Sequence, residues 1–404
     1  MQYAMALLAG AALGTAAPAI ANPISVKPII DTRLRYEHVD QQGFGDNADA
    51  LTARLRAGAE FSSGDWTLLA EGESTLALHE RYDSGLNGKT RYPTVADPEN
   101  IGLNRFQLQY RGLAGTLITA GRQRINLDDQ RFVGSSGWRD NEQTFDAARV
   151  ETVIVKNLKA DLTYAWSVRT IWGIDGKGAR PQAIGGNNMF ANLVYNTPYG
   201  KLTGFAYLID QDQAAVQSFR LSSQTYGLRF AGSRPLSAKA RLNYTASYAR
   251  QSDFHRNPND YAADYYALEA GLDVAALKLG LGYEVLGADD GRPLTSVQTP
   301  LATLHKFQGW ADKFLLTPPN GLRDLYASGG YGWKSVAGLE AINAVVVYHR
   351  LDSDRLGITY GSEWDAMVAA KRGHWTATAK LADYRAKGFA TDTRKIWLML
   401  EWAY

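Results

Sequence analysis

The sequence predicts a transmembrane, antiparallel, up-and-down β-barrel of about eighteen strands after an N-terminal signal peptide. Three observations lead there. Apolar and polar residues alternate with a period of two from end to end; the connections between alternating segments are by turns short and long; and the chain closes on "RKIWLMLEWAY", in which Ile396, Leu398, Leu400, Trp402 and Tyr404 share one face. Composition agrees. Of 404 residues 45% are hydrophobic and 21% charged, and a formal net charge of +2 points to neither nucleic acid nor any other strongly charged macromolecule. With no cysteine, disulfide scaffolds, thiolate metal clusters and cysteine catalysis are excluded. Twenty-two tyrosines, ten tryptophans and 39 glycines suit long sheets.

Residues 4–21, "AMALLAGAALGTAAPAIA", form an apolar run ending in Ala19-Ile20-Ala21, the small-x-small pattern of signal-peptidase cleavage. Residues 1–21 are therefore expected to be a signal peptide, although "MQYAM" lacks the usual basic residues, and 22–404 a single outer-membrane barrel domain. Beyond residue 22 no apolar run of about 18 residues appears, so no helix is expected to span a bilayer.

The first alternating segment, "IIDTRLRYEHV", sets Ile30, Leu34 and Tyr36 against Asp31, Arg33, Arg35 and Glu37. Next, "LTARLRAGAEF" opposes Leu51, Leu55 and Phe61 to Arg54, Arg56 and Glu60, and a third strand carries Glu71 and Glu73. "NRFQLQYRG" sets Phe106, Leu108 and Tyr110 against Arg105 and Arg111; "ADLTYAWSVR" sets Leu162, Tyr164, Trp166 and Val168 against Asp161, Thr163, Ser167 and Arg169. "ARLNYTASYAR" and "ALKLGLGYEV" repeat the arrangement. These segments run to about 10 residues, enough to cross a bilayer at a tilt, whereas strands of soluble proteins run to about 5 or 6. Short connections fall at 62–65, 112–115, 156–159, 196–200, 233–238, 273–276, 335–338 and 371–374. Between them lie long ones, near 40–48, 79–103, 125–144, 172–187, 210–223, 250–260, 287–320, 351–360 and 385–393. Tight periplasmic turns and long outer loops are the barrel pattern, and an even strand count returns both termini to the periplasm. Apolar faces would then meet lipid, and the closing strand the barrel-assembly machinery.

One stretch, "GRQRINLDDQRFVGSSGWRDNEQTFDAARVE" at 121–151, resembles the alginate-export family of outer-membrane β-barrels. Gly121-Arg122-Gln123-Arg124 and the segment from Trp138-Arg139-Asp140 to Phe145-Asp146 carry the match. The resemblance implies an eighteen-stranded, porin-like barrel that conducts solutes through an arginine-rich constriction suited to an anionic polysaccharide. Lipid and lipopolysaccharide would surround it, and no cofactor is implied.

Read from the residues themselves, predicted inward positions hold Arg33, Arg35, Arg54, Arg56, Arg105, Arg111, Arg122, Arg124, Arg149 and Arg169. Guanidinium groups stay charged at any working pH and grip carboxylate or phosphate bidentately, so such a lining favours anions. The same arginines can pair across strands with Glu37, Glu60, Glu71, Glu73 and Glu151. Later strands look more balanced, with Glu269, Asp273, Glu284, Glu363, Asp365 and Glu401 against Arg229, Arg241, Lys278, Lys371, Lys380 and Lys395, so any selectivity filter is expected on the N-terminal side of the barrel. Loops 125–144 and 287–320 are the candidates to fold inward; in the first, Asp128, Asp129, Arg131, Arg139, Asp140 and Glu142 are charged, and Trp138 offers a stacking face. Tyr36, Trp66, Tyr110, Trp166, Tyr248, Trp375 and Trp402 are expected in interfacial girdles.

Catalytic signals are weak. "GLNGKT" has Asp83 where a phosphate loop needs its first glycine, the histidines lack metal-ligand spacing, and the acidic runs at Asp210–Asp212 and Asp289-Asp290 lack the spaced ligands of a calcium loop. The expected function is passive diffusion of anionic solutes, with alginate or other uronate chains as the cargo class. Two other classes stay open: a barrel enzyme of lipase type and a non-conducting structural or adhesin barrel.

Overall fold

A strand with one apolar and one polar face can satisfy lipid and water together only if its backbone groups are all paired, which for a sheet requires closure. The computed structural model, which describes residues 23–404, has that closure. The expected signal peptide, 1–21, lies outside the described residues.

The strands are β1 (Ser25–Gln41), β2 (Ala48–Ser63), β3 (Trp66–Arg81), β4 (Asn100–Tyr110), β5 (Thr116–Gln123), β6 (Thr144–Val155), β7 (Leu158–Arg169), β8 (Ala183–Thr197) and β9 (Gly200–Ile209). The second half comprises β10 (Ser223–Pro235), β11 (Ala240–Asp253), β12 (Ala262–Val274), β13 (Leu277–Leu286), β14 (Leu322–Val336), β15 (Leu339–Asp352), β16 (Thr359–Arg372), β17 (Trp375–Ala386) and β18 (Thr393–Ala403). Each pairs antiparallel with its sequence neighbours, and β1 closes on β18 from Asp31↔Ala403 to Gln41↔Thr393. Turns and loops alternate as expected. Short turns join one end, and the loops 82–99, 124–143 and 287–321 are the longest at the other.

The two faces behave as the alternation requires. Leu34, Leu55 and Phe61 are exposed on the outside, whereas Arg35, Arg54 and Arg56 are buried within. Trp66, Trp166, Tyr248 and Trp375 are exposed near strand ends, in girdle positions. An eighteen-stranded wall is wide enough to leave an aqueous lumen, but here loops enter it. Phe132 of the 124–143 loop packs against Phe205 on β9 at 5.4 Å and Tyr265 on β12 at 5.1 Å. The same loop reaches the opposite wall, where Trp138 meets Trp397 of β18 edge-on at 5.7 Å. It therefore spans the lumen.

Three of the expected inward arginines lie elsewhere. Arg122 opposes Phe106, which is half exposed on the outer face, while the next residue, Gln123, is buried opposite Phe145. Arg122 shares the outward parity of Ala120, and strict alternation would put Arg124 outward with it; Arg124 turns inward only because the strand ends at Gln123. Arg169 is reversed by a β-bulge between Ala165 and Ser167, which also turns Val168 inward against Phe145 and Ile184. Arg111 lies past the end of β4 and is exposed at the periplasmic turn, its Nη1 donating to Gln109.

The Phe132 contacts predict that Phe132→Ala releases the 124–143 loop by about 3 kcal/mol. Faster amide exchange in 124–143 and at Thr303, whose N–H donates to Gln130, with barrel-strand protection unchanged, is the expected readout.

Candidate constriction site

Three loops fold into the barrel, 82–99, 124–143 and 287–321, and the last two are stapled through their backbones. Val133 forms a parallel bridge with Leu301, the Gly134 N–H donates to the Leu301 carbonyl at 2.8 Å, and the Thr303 N–H donates to Gln130 at 3.1 Å. Both loops expected to fold inward do so.

Their carboxylates meet the arginine wall. Arg33 pairs with Asp140 at 3.4 Å and Glu401 at 2.7 Å, and donates to the Trp138 carbonyl at 2.9 Å. Arg35 pairs with Glu37 at 3.0 Å and with Asp97 of the 82–99 loop at 3.5 Å. Arg56 holds Glu73 at 2.6 Å and Glu142 at 3.4 Å. Arg105 grips Glu71 with two nitrogens, Arg124 joins Glu71 to Glu142, and Arg149 pairs with Asp161 at 2.5 Å and Glu151 at 3.2 Å. Arg54 is the exception. Its Nη2 pairs with Asp31, but Nε and Nη1 are buried without a partner, directly opposite Arg33 in the sheet. Cross-strand pairing was legible from the strands, whereas the contribution of the loop acids Asp97, Asp140 and Glu142 was not.

The loops converge on Arg139. Its guanidinium pairs with Asp97 at 3.4 Å and Asp312 at 2.9 Å, so one side chain ties all three together. Burial opposes the charge of Asp312, yet His305, Lys395 and Arg139 around it hold its carboxyl well below the usual range. His305 Nδ1 faces Asp312 at 2.8 Å and Nε2 faces the Lys380 Nζ at 2.8 Å. An ammonium only donates, so Nε2 accepts and Nδ1–H donates to the carboxylate, which is the neutral tautomer. Burial, reinforced by Lys380, pushes His305 down to about 3. Trp138 stacks on His305 at 4.2 Å, and Lys380 Nζ sits 3.8 Å from the ring centres of both Trp138 and Trp310.

The 287–321 loop is anchored on β16. The Trp310 N–H donates to Asp365 at 3.1 Å and the Ala311 N–H to Glu363 at 2.6 Å. Gly309, at φ +85°, brings the backbone so close that a Cβ would collide with the Glu363 carboxyl group. Glu363, Asp365, Lys380 and Lys395 stand at inward parity, which the sequence displays; that a loop more than forty residues away in sequence anchors on them it does not. His305 and Asp312 carried no signal at all.

The other loop residues singled out from the sequence are placed at the wall. Arg131 pairs with Glu284 at 2.7 Å and donates to Thr299 at 2.9 Å; Asp129 pairs with Arg229 at 3.3 Å; Asp128 accepts from Asn192 at 3.0 Å. Burial raises the Asp128 carboxyl, the largest influence there. The stapled loops divide the lumen. On the outer side is a vestibule of about 800 Å³ that reaches Ser136, Ala302 and Leu304; on the other is a chamber of about 700 Å³ reaching Trp138, Thr303 and His305.

Comparison with known proteins follows this geometry closely. The family model described as "Alginate export" matches residues 29–291. Among solved structures, Acinetobacter baumannii OccAB4 is 14% identical, with 96% of this chain and 100% of that chain covered at a TM-score of 0.68. The outer membrane protein opdK of Pseudomonas aeruginosa is 13% identical, covering 94% and 98% at 0.69, and OpdQ of the same organism is 13% identical, covering 94% and 98% at 0.65. At these identities the likeness is one of fold. No curated protein matches.

The His305 environment predicts an acid-sensitive constriction. A folded-state value near 3, below the ordinary 6.5, means that the released loop binds the extra proton, so docking weakens as pH falls from 6.5 toward 3. Protection of the 305–312 amides, corrected for the pH dependence of intrinsic exchange, is expected to fall between pH 7 and pH 4 in the native protein, and His305→Gln is expected to flatten that dependence.

Proposed function

The chain belongs to the alginate export family, and we propose that it is a passive channel for small organic anions, carboxylates above all, with uronate oligosaccharides the cargo suggested by the family's name. It is an outer-membrane, porin-like barrel with periplasmic termini, in contact with lipid. The finer reading adds lipopolysaccharide around the outer rim, the barrel-assembly machinery acting through β18, and no catalytic step.

The observation that carries the anion reading is the layering of charge on β3–β5. Arg105 and Arg124 remain 14% and 30% exposed at their side chains, while their partners Glu71 and Glu142 are at 1% and 2%. Water in the lumen meets the guanidinium groups, and the carboxylates lie beneath them. A low-dielectric wall focuses the resulting field into the pore. Acidic groups also face the lumen, with Asp31 36% and Glu401 31% exposed, so the expected selectivity is modest.

Single-channel conductance and the zero-current potential under a salt gradient test the proposal. Open steps with an anion preference are expected. Arg124→Gln leaves Glu71 with Arg105 and Glu142 with Arg56, and is expected to reduce that preference without abolishing conductance. A correctly folded barrel with no conductance, or one with cation preference, would overturn the reading.

A further inference from the structure

The outer vestibule has a surface unlike the charged wall beneath it. Five outer loops frame it, and Leu86, Ile171, Trp172, Leu315 and Leu316 supply its apolar surface. Leu315 and Leu316 are 41% and 42% exposed, so aliphatic carbon faces water in the mouth. A vestibule serving only hydrated sugars has no reason to keep such residues uncovered. The charged residues lining it are Asp83, Lys177 and Arg180.

Those three are unequal. The Asp83 carboxylate is committed to its own turn, accepting from the Gly85 N–H at 2.7 Å and from the Thr94 hydroxyl at 3.2 Å. Lys177 and Arg180 stand together on one tight turn, joined by an antiparallel bridge and by the Arg180 N–H donating to the Lys177 carbonyl at 3.1 Å. Among the described residues neither has a carboxylate within ion-pair distance. Arg180 is nevertheless fixed: its guanidinium lies over the Trp172 ring at 4.9 Å and donates to the Gly85 carbonyl at 2.6 Å. Gly85, at φ +85°, permits this approach, since a Cβ there would lie 2.7 Å from Trp172 and 2.9 Å from Arg180.

We propose that the vestibule is a capture site for organic anions with an apolar body, an aliphatic carboxylate seated with its chain on Leu315 and Leu316 and its carboxylate on the Lys177–Arg180 turn. This rests on the anion-channel reading and narrows its substrate class. Hydrophilic uronates meet the arginine wall but gain nothing from the leucines, whereas each fully buried methylene strengthens binding about fourfold. The mouth thereby enriches amphipathic anions directly above the constriction.

Titration calorimetry on the whole protein in nanodiscs, with empty nanodiscs as the blank, tests the proposal using three six-carbon probes: hexanoate, gluconate and hexylammonium. Hexanoate is expected to bind at least about tenfold more tightly than either of the others. Butanoate, hexanoate and octanoate are expected to gain about two- to fourfold per methylene. Lys177→Gln with Arg180→Gln is expected to remove hexanoate binding, and Lys177→Gln alone, at an exposed residue, to weaken it while leaving the Trp172 stack intact. Leu315→Ser with Leu316→Ser is expected to flatten the chain-length series. Gluconate or hexylammonium binding as tightly as hexanoate, or charge variants that bind hexanoate unchanged, would overturn the proposal. Conductance measured on the same preparation separates the two readings: anion-preferring steps without hexanoate binding sink the capture site alone, and hexanoate binding without conductance sinks the channel alone.

Discussion

Arg139 is the point on which the interior depends. It stands in the lumen of a barrel whose wall bristles with buried guanidinium groups, and it holds Asp97 and Asp312, one from each of the other two inward loops. A buried charge without a partner costs several kcal/mol, so loops carrying the matching carboxylates are drawn inward rather than left over the mouth. Apolar burial acts with it, since Ile125, Phe132, Val133, Leu301 and Phe314 of these loops lie in the buried hydrophobic cluster inside the barrel. The constriction is thus a consequence of charge matching and apolar burial together, with aromatic packing at Phe132 and Trp138 fixing where each loop lands.

The same constraint shapes what a solute meets. Asp97, Asp140 and Glu142 engage much of the positive charge of β1, β2 and β5, so the lining that stays wet consists of the guanidinium faces left uncovered, with scattered acids below. Arg54 departs from this economy with two unpartnered nitrogens. Its isolation beside Arg33 leaves a concentrated positive charge behind the loop layer. On the opposite wall, the β16 carboxylates hold the loop by accepting from the backbone N–H groups of Trp310 and Ala311, with His349 3.7 Å from Asp365 behind them, so ion pairs anchor the loops on one side of the constriction and backbone hydrogen bonds on the other.

The compartments differ along the axis in the kind of side chain they present. The vestibule is lined by leucines with two cations at one edge, and the chamber beyond the partition by aromatic side chains among both acids and bases. A solute crossing the barrel therefore passes from a leucine-lined basin through a charged neck into an aromatic chamber. Backbone staples between 130–136 and 301–303 keep these compartments distinct.

The sequence alone determined the barrel, because period-two alternation over segments of membrane length has one stable solution once each strand must be paired on both edges. It also determined the lipid face, the long-loop end and the identity of two of the three intruding loops, though not that of 82–99. It read Arg33, Arg35, Arg54, Arg56 and Arg105 correctly as inward because parity is a local property. At Arg122 the inward face was assigned to the wrong parity, since Thr119 and Gln123 point inward around it; at Arg169 a bulge altered the count, a feature that depends on the neighbouring strand. Only the tertiary structure decided the site itself. Lys380 lies far in sequence from His305 and Asp312, as Arg139 does from Asp97, and their meeting is set by where the loops find packing and opposite charge across the lumen.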